Sequence, residues 1–336
     1  MGKMQSRSRA FKAAERKIFD PADGFPPLTD VGELTDATLA RRGDQWWMFL
    51  AGEAGGCESI ELLSASLPPD APLSATGWQL TPLSGDPHKI APLASHELSK
   101  HWDLHGGRHC PAYIKGFDSQ SDRWVERIYY AGAPENPWGP YSIGYLEWNG
   151  QHWTEQPQPV FRATEEWEHG SVYEPNLIYA DGKWKMWYVA GSNIDDYLVH
   201  GFAESDDGRN WSARKIFAPA REKIFDFYVL PRGDGYEAVF SKVWLGKTPP
   251  PPDTGLWWCR CDRLSTIFED WTDRAQLMTA ADCGWHAGPW RPSFRYLDSN
   301  DRKMLVFFDG TYKKSGDTGG FPYVFTLGCL EVEWQE

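Results

Sequence analysis

Between Val172 and Trp211 the chain reads VYEPNLIYADGKWKMWYVAGSNIDDYLVHGFAESDDGRNW, short runs of alternating apolar and polar residues broken by Asp-Gly and Ala-Gly pairs. A period of two bounded by turn residues predicts strands, not helices. The passage predicts a strand entered through Glu174-Pro175 and a tight turn at Asp181-Gly182. A second strand follows over Trp184–Val189 and stops at Ala190-Gly191, and a third runs from Leu198 to Glu204 into a turn closed by Trp211. The same order recurs. Trp46–Leu50 ends at Ala51-Gly52 with Trp78 closing, Arg127–Tyr130 ends at Ala131-Gly132 with Trp153 closing, and weaker copies start near Ile224 and Gly288.

One such unit cannot bury its apolar face alone, so copies must stack. Five copies of three to four strands predict an all-β fold, a five-bladed β-propeller with a central funnel. Its blades cover about residues 35–80, 106–156, 172–214, 224–273 and 288–335, within one domain over residues 31–336. The recurring tryptophans are expected to pack between neighbouring blades. Residues 1–30 are different: Lys3, Arg7, Arg9, Lys12, Arg16 and Lys17 stand among few apolar residues, which predicts a short basic arm, partly disordered or loosely docked.

Composition narrows the function. A net charge of −13 lacks the basic stripe a nucleic-acid partner requires, so no such partner is expected. No stretch approaches a membrane span and residues 1–17 hold no apolar signal core, so the expected setting is cytoplasmic, away from membranes. The six cysteines form no zinc spacing, and are expected to be small buried residues. No cofactor motif is present, so no cofactor and no metal are expected, save that a calcium or sodium ion in the channel stays open.

Starts of the innermost strands converge at one mouth of a propeller's channel. The comparable positions in the five copies carry Asp36, the pair Arg108-His109, Glu174, Asp226 and Arg291. Crowded carboxylates repel, which raises the pKa of at least one and suits it to proton donation. Guanidiniums keep another ionised and grip ligand oxygens. Such an acid pair is what glycosidic cleavage needs, and the separation of the two acids decides between retention and inversion. Trp102, His169, Tyr173, Trp285 and His286 flank these positions and are expected near the ligand. The run His96, His101, His105, His109 contains Gly106-Gly107, which favours a loop over the mouth rather than a helical metal site.

These features resemble the five-bladed β-propeller glycoside hydrolases, the furanosidase-type families 32, 43, 62 and 68 with their relatives 117 and 130. The resemblance spans about residues 30–335 and is carried by EPNLIYADGKWKMWYVAG, GFAESDDGRNW and Arg291-Pro292-Ser293. It implies Asp36, in Leu-Thr-Asp-Ala-Thr, as nucleophile or base. It implies Glu174, in Tyr-Glu-Pro-Asn, as general acid, by similarity to the Glu-Cys-Pro acid of family 32. Asp226 becomes a third carboxylate that tunes the others or binds hydroxyls. Asp36 lacks the Asn-Asp-Pro context of family 32. Where that family has Arg-Asp-Pro, this chain has Arg108-His109-Cys110-Pro111, with His109 set against the aspartate; family 117 is said to use a histidine as acid.

The leading expectation is a carbohydrate-active enzyme that cleaves a small glycoside, its partner a small-molecule sugar. Two alternatives keep the fold: a non-hydrolytic acid/base enzyme (a cyclase, isomerase or lyase of small-molecule biosynthesis), and a non-catalytic sugar-binding propeller.

Overall fold

The structure, a computed structural model, describes residues 11–20, 23–54, 60–94, 102–103, 107–134, 139–192, 197–242, 249–297, 302–314 and 323–335. Strand β1 (Phe11–Phe19) comes first. The first blade holds β2 (Val31–Arg42), β3 (Gln45–Ala54), β4 (Ile60–Ser66) and β5 (Gln79–Leu80), and a small ribbon of β6 (Pro82–Leu83) and β7 (Asp86–Ile90) follows. The second blade is β8 (Arg108–Asp118), β9 (Arg123–Gly132), β10 (Ser142–Trp148) and β11 (Trp153–Glu155). The third is β12 (Val172–Ala180), β13 (Lys183–Ser192), β14 (Tyr197–Ser205) and β15 (Trp211–Ala218). The fourth is β16 (Ile224–Arg232), β17 (Gly235–Lys242), β18 (Gly255–Cys261) and β19 (Thr272–Thr279). The fifth is β20 (Ala287–Tyr296), β21 (Lys303–Lys314) and β22 (Tyr323–Trp334), completed by β1 on its outer edge. All pairings within the blades are antiparallel. The innermost strands touch in the order β2, β8, β12, β16, β20 and back to β2, so the ring is closed.

The turns follow the sequence. Asp181 and Gly182 both have positive φ, 55° and 72°, between the paired residues Ala180 and Lys183. That is the two-residue hairpin an Asp-Gly pair favours, because its twist matches the strands it joins. In the SDDGRNW segment the Asp207 carboxylate accepts the backbone N–H groups of Arg209 and Asn210, and Ser205 Oγ accepts that of Gly208. The turn therefore satisfies its own donors before Trp211 resumes the sheet.

The core lies between the blades, and an indole stands at each junction. Trp153 meets Phe49 between the second and first blades, and Trp184 covers Gly116 and donates to the Phe117 carbonyl between the third and second. Trp187 packs on Phe227 between the third and fourth, Trp258 on Trp334 between the fourth and fifth, and Trp78 on Phe307 between the first and fifth. Flat side chains fill these wedge-shaped seams at low conformational cost.

The basic arm expected over residues 1–30 is in part structured. Phe11–Phe19 pairs along its length with β22, from Phe11 opposite Trp334 to Phe19 opposite Leu327. The five described cysteines are free and buried. Among the described residues no helix is long and apolar enough to cross a membrane.

Candidate active site

Each innermost strand carries a break in register near its start: between Thr35 and Thr38, His109 and Ala112, Tyr173 and Asn176, Ile224 and Asp226, and Trp290 and Ser293. In four blades the extra residue is left-handed and is not glycine: Asp36 at φ 58°, Cys110 at 57°, Glu174 at 52° and Arg291 at 49°. Such a conformation costs about 1–3 kcal/mol per residue and persists where its surroundings enforce it. Three of the four precede proline: Cys110-Pro111, Glu174-Pro175 and Arg291-Pro292. The bulge re-aims one side chain per blade out of the alternating pattern.

The re-aimed groups meet. Asp36 Oδ2 accepts the backbone N–H of Cys110 at 2.9 Å, and the Cys110 thiol donates to Glu174 Oε1 at 2.9 Å. Arg291 Nη1 lies 2.9 Å from Glu174 Oε2 and 3.6 Å from Asp226 Oδ1. The Arg291 N–H donates to Asp226 Oδ2 at 2.6 Å, where the Ser241 hydroxyl also donates. Arg291 Nη2 reaches the carbonyls of Cys110, Pro111 and Pro175, tying the fifth blade to the second and third. Asp36, Cys110 and Glu174 each offer one ligand atom within 4.8 Å of the others.

Burial sets the protonation. Glu174 is 5 % exposed, and burial, then the charges of Asp226 and Asp36, push its carboxyl well above the usual range against the pull of Arg291. Asp226 is raised by burial, an effect partly offset by Arg291 and by hydrogen bonds from Glu174 and Ser241. Burial and the neighbouring acids hold the Cys110 thiol protonated. Burial lowers the Arg291 guanidinium's affinity for its proton, but the surrounding acids more than restore it, and it stays charged. Glu174 and Asp226 are thus two interacting buried acids beside one fixed cation.

Of the residues singled out in the sequence, Asp36, Glu174, Asp226 and Arg291 come together. Tyr173 is adjacent, its ring 5.2 Å from Tyr141, and His109 sits 5.9 Å from Tyr141 on the other side. Arg108 does not join them. It is buried against Asp103 at 2.9 Å, Glu155 and Glu61, an ion-pair cluster inside the second blade and its seam with the first. Regular alternation would put Arg108 and Cys110 on one face; the bulge at left-handed Cys110 separates them. Trp102 stacks on Tyr130 and covers Gly132 and Gly144, packing against the second blade. Trp285 is buried on Phe308, Gly310 and Gly328 inside the fifth blade. His169 is exposed at the end of the short turn Glu166–Glu168, and half-buried His286 pairs its backbone N–H with the Thr311 carbonyl. His96, His101 and His105 lie outside the described residues.

Three residues escape the sequence pattern. The second-blade channel position belongs to Cys110, not His109: the residue directly before the proline takes the left-handed bulge, as Glu174 and Arg291 do. Aligning the copies on their prolines would find it. Asp309 on β21 accepts the Asp36 N–H at 3.0 Å and the Thr35 hydroxyl. Burial and the Asp36 charge push its carboxyl well above the usual range. Its signal is a single acid directly after the apolar run Leu305–Phe308. Glu33 on β2 is pushed up to about 7 by burial, with a smaller upward push from Glu53, although the Phe325 N–H pulls it down.

Asp36, Cys110 and Glu174 are the donors that would hold a metal ion. A thiolate with two carboxylates suits a zinc-like cation. Binding would require the Cys110 proton to leave and the Arg291 charge to move off Glu174, so the donor set as arranged is built around protons.

Neither a protein-family model nor a curated protein sequence matches the chain. Solved structures do. The chain superposes on a family 117 glycoside hydrolase, Zg3597, from the marine bacterium Zobellia galactanivorans with a TM-score of 0.60, covering 97% of this chain and 90% of that one at 14% identity. It superposes on the catalytic domain of the Coprinopsis cinerea family 62 α-L-arabinofuranosidase with a TM-score of 0.59, covering 97% and 98% at 12% identity. A Fusarium graminearum α-L-arabinofuranosidase in complex with an iminosugar inhibitor gives 0.56, covering 94% and 96% at 10% identity. The chain shares their fold. That fold is a five-bladed propeller, and in this chain Asp36 and Glu174 stand on the bulges of two innermost strands.

Proposed function

We propose that the chain is a glycoside hydrolase acting on a small glycoside, with Glu174 as proton donor and Asp36 as its partner acid. One observation carries the reading: Asp36 and Glu174 approach across the channel with oxygens within 4.8 Å, and Glu174 holds its proton to an unusually high pH. Glu174 would protonate the leaving oxygen while Asp36 attacks the anomeric carbon. Asp36 is fixed for that by the Cys110 N–H. Arg291 would steady the carboxylate that forms on Glu174 once its proton has gone. A short separation between the acids, about 5 Å, favours direct attack and retention of configuration. A cytoplasmic setting would confine the enzyme to small imported or endogenous glycosides.

The relatives in fold named for arabinofuranosidase activity make α-L-arabinofuranosides the first substrates to try. The Glu174→Gln protein is expected to lose about a hundredfold to ten-thousandfold in turnover while keeping its fold. Full turnover in that variant would remove Glu174 from the mechanism. Proton NMR of the first-formed sugar should show the substrate's anomer, and the opposite anomer would reject direct attack by Asp36.

A second reading, acid/base chemistry without hydrolysis, is favoured by Cys110. A neutral thiol stands where a third acid would complete the set. Consumption of a substrate with no sugar released from any glycoside would support it.

A further inference from the structure

The residue directly ahead of each channel-facing position is aromatic in four blades: His109, Tyr173, Phe225 and Trp290. Tyr141, just before β10, and Phe325, on β22, extend the series. Ring centroids follow one another at 5.9 Å from His109 to Tyr141, 5.2 Å to Tyr173, 6.1 Å to Phe225, 6.3 Å to Trp290 and 6.4 Å to Phe325. This arc of six rings runs from the second blade round to the fifth. All but Tyr173 are half-buried and keep some surface open, whereas Cys110, Glu174, Asp226 and Arg291, one residue further along, are buried. On the first blade the arc is interrupted. Thr35 takes the aromatic position there, and the half-buried acids Glu33 and Glu53 stand near Phe325.

We propose that this arc is the leaving-group subsite and that it takes a flat apolar group, an aryl aglycone, in preference to a further sugar. The inference rests on the hydrolase reading above. Consecutive α-carbons are about 3.8 Å apart, so Tyr173 and Phe225 start beside Glu174 and Asp226, within reach of a group attached at the scissile bond. A sugar can lay its C–H face on one such ring, but the hydroxyls around its edge need partners, and Phe225 and Phe325 offer none. A flat ring loses nothing, and it enters a series whose spacings, 5.2 Å to 6.4 Å, fall in the range in which aromatic pairs attract. The acids on the first-blade side accept hydrogen bonds, as a sugar's hydroxyls require. The mouth is therefore polar on one side and aromatic on the other, as an aryl glycoside is.

The test begins with a probe independent of the sugar. Titration calorimetry with 4-nitrophenol is expected to show saturable binding to the unmodified protein, weakened about tenfold in Phe225→Ala and in the milder Phe225→Leu. No saturable binding, or equal binding in both variants, overturns the subsite. Next, 4-nitrophenyl and methyl α-L-arabinofuranoside are compared on Glu174→Gln by calorimetry and on the unmodified protein by rate. The aryl compound is expected to bind about tenfold tighter. Tighter binding of an arabinofuranosyl disaccharide than of the aryl compound would overturn the proposal. Aryl-selective binding with no hydrolysis of any of these would instead reject the hydrolase reading and leave the subsite standing.

Discussion

Cys110 links the two acids on either side of it: its backbone N–H holds Asp36 and its thiol holds Glu174. Replacing it by an acid would place a further negative charge against Glu174 and raise that pKa again. Cys110→Asp is expected to move the basic limb of the pH–rate profile upward, while Cys110→Ser leaves it near its original position. Asp309 admits a sharper test. Its raised pKa makes it a neutral acceptor for the Asp36 N–H and the Thr35 hydroxyl, a role asparagine can fill. Asp309→Asn is expected to keep urea stability within about 1 kcal/mol, and Asp309→Ala to lose about 1–3 kcal/mol for each donor left unpaired. Glu33 sets a pH dependence. Its carboxyl is raised from 4.5 to about 7, so its contribution is intact below pH 4.5 and is lost as pH rises through 7. Glu174, Asp226 and Asp309 act in the same direction. Buried His200, lowered to about 3, works the other way below pH 6.5, so urea unfolding is expected to show stability falling from about pH 6.5 to about pH 8, and falling less in Glu33→Gln. At this scale the sequence exposed the acids that interrupt a repeated pattern, and it hid those that do not. Asp36, Glu174, Asp226 and Arg291 differ from one another where the copies otherwise agree. Asp309 lies on a second strand, where the copies offered no comparable position, and Cys110 was masked by the histidine before it.

At the scale of elements, hairpins and seams were legible because their signals are local. Asp181-Gly182 dictates its turn, and each closing indole sits at a fixed distance behind its strands. The bulges were not legible, since a left-handed Asp36 or Glu174 leaves no mark in hydrophobic alternation. Neither was β1. An outer-edge strand with a neighbour on one side only has little apolar surface to bury, so FKAAERKIF carries charge where an inner strand would carry valine. The seams are tight enough to test with one methyl group. A Cβ at Gly116 would stand 2.6 Å from the buried indole of Trp184. That ring is held by its hydrogen bond to the Phe117 carbonyl and cannot swing aside. Gly116→Ala is expected to cost about 1–3 kcal/mol, read as a lowered midpoint in thermal unfolding.

For the whole molecule, the fifth blade takes its outer strand from the beginning of the chain and its inner three from the end. Deleting residues 11–19 would free the edge of β22 along the register from Leu327 to Trp334. Lower thermal stability and a concentration-dependent increase in size by light scattering are expected, because an unpaired edge recruits other chains. An unchanged midpoint in the truncated protein would show that the ring holds without its clasp. The pairing also has a direction. Phe11 faces Trp334, so the two ends of the described chain leave the clasp side by side. A force applied to those ends would meet the hydrogen bonds one at a time, as a zipper does, instead of loading them together in shear. The closed ring is thus expected to open easily under tension, with the strand Phe11–Phe19 peeling away first.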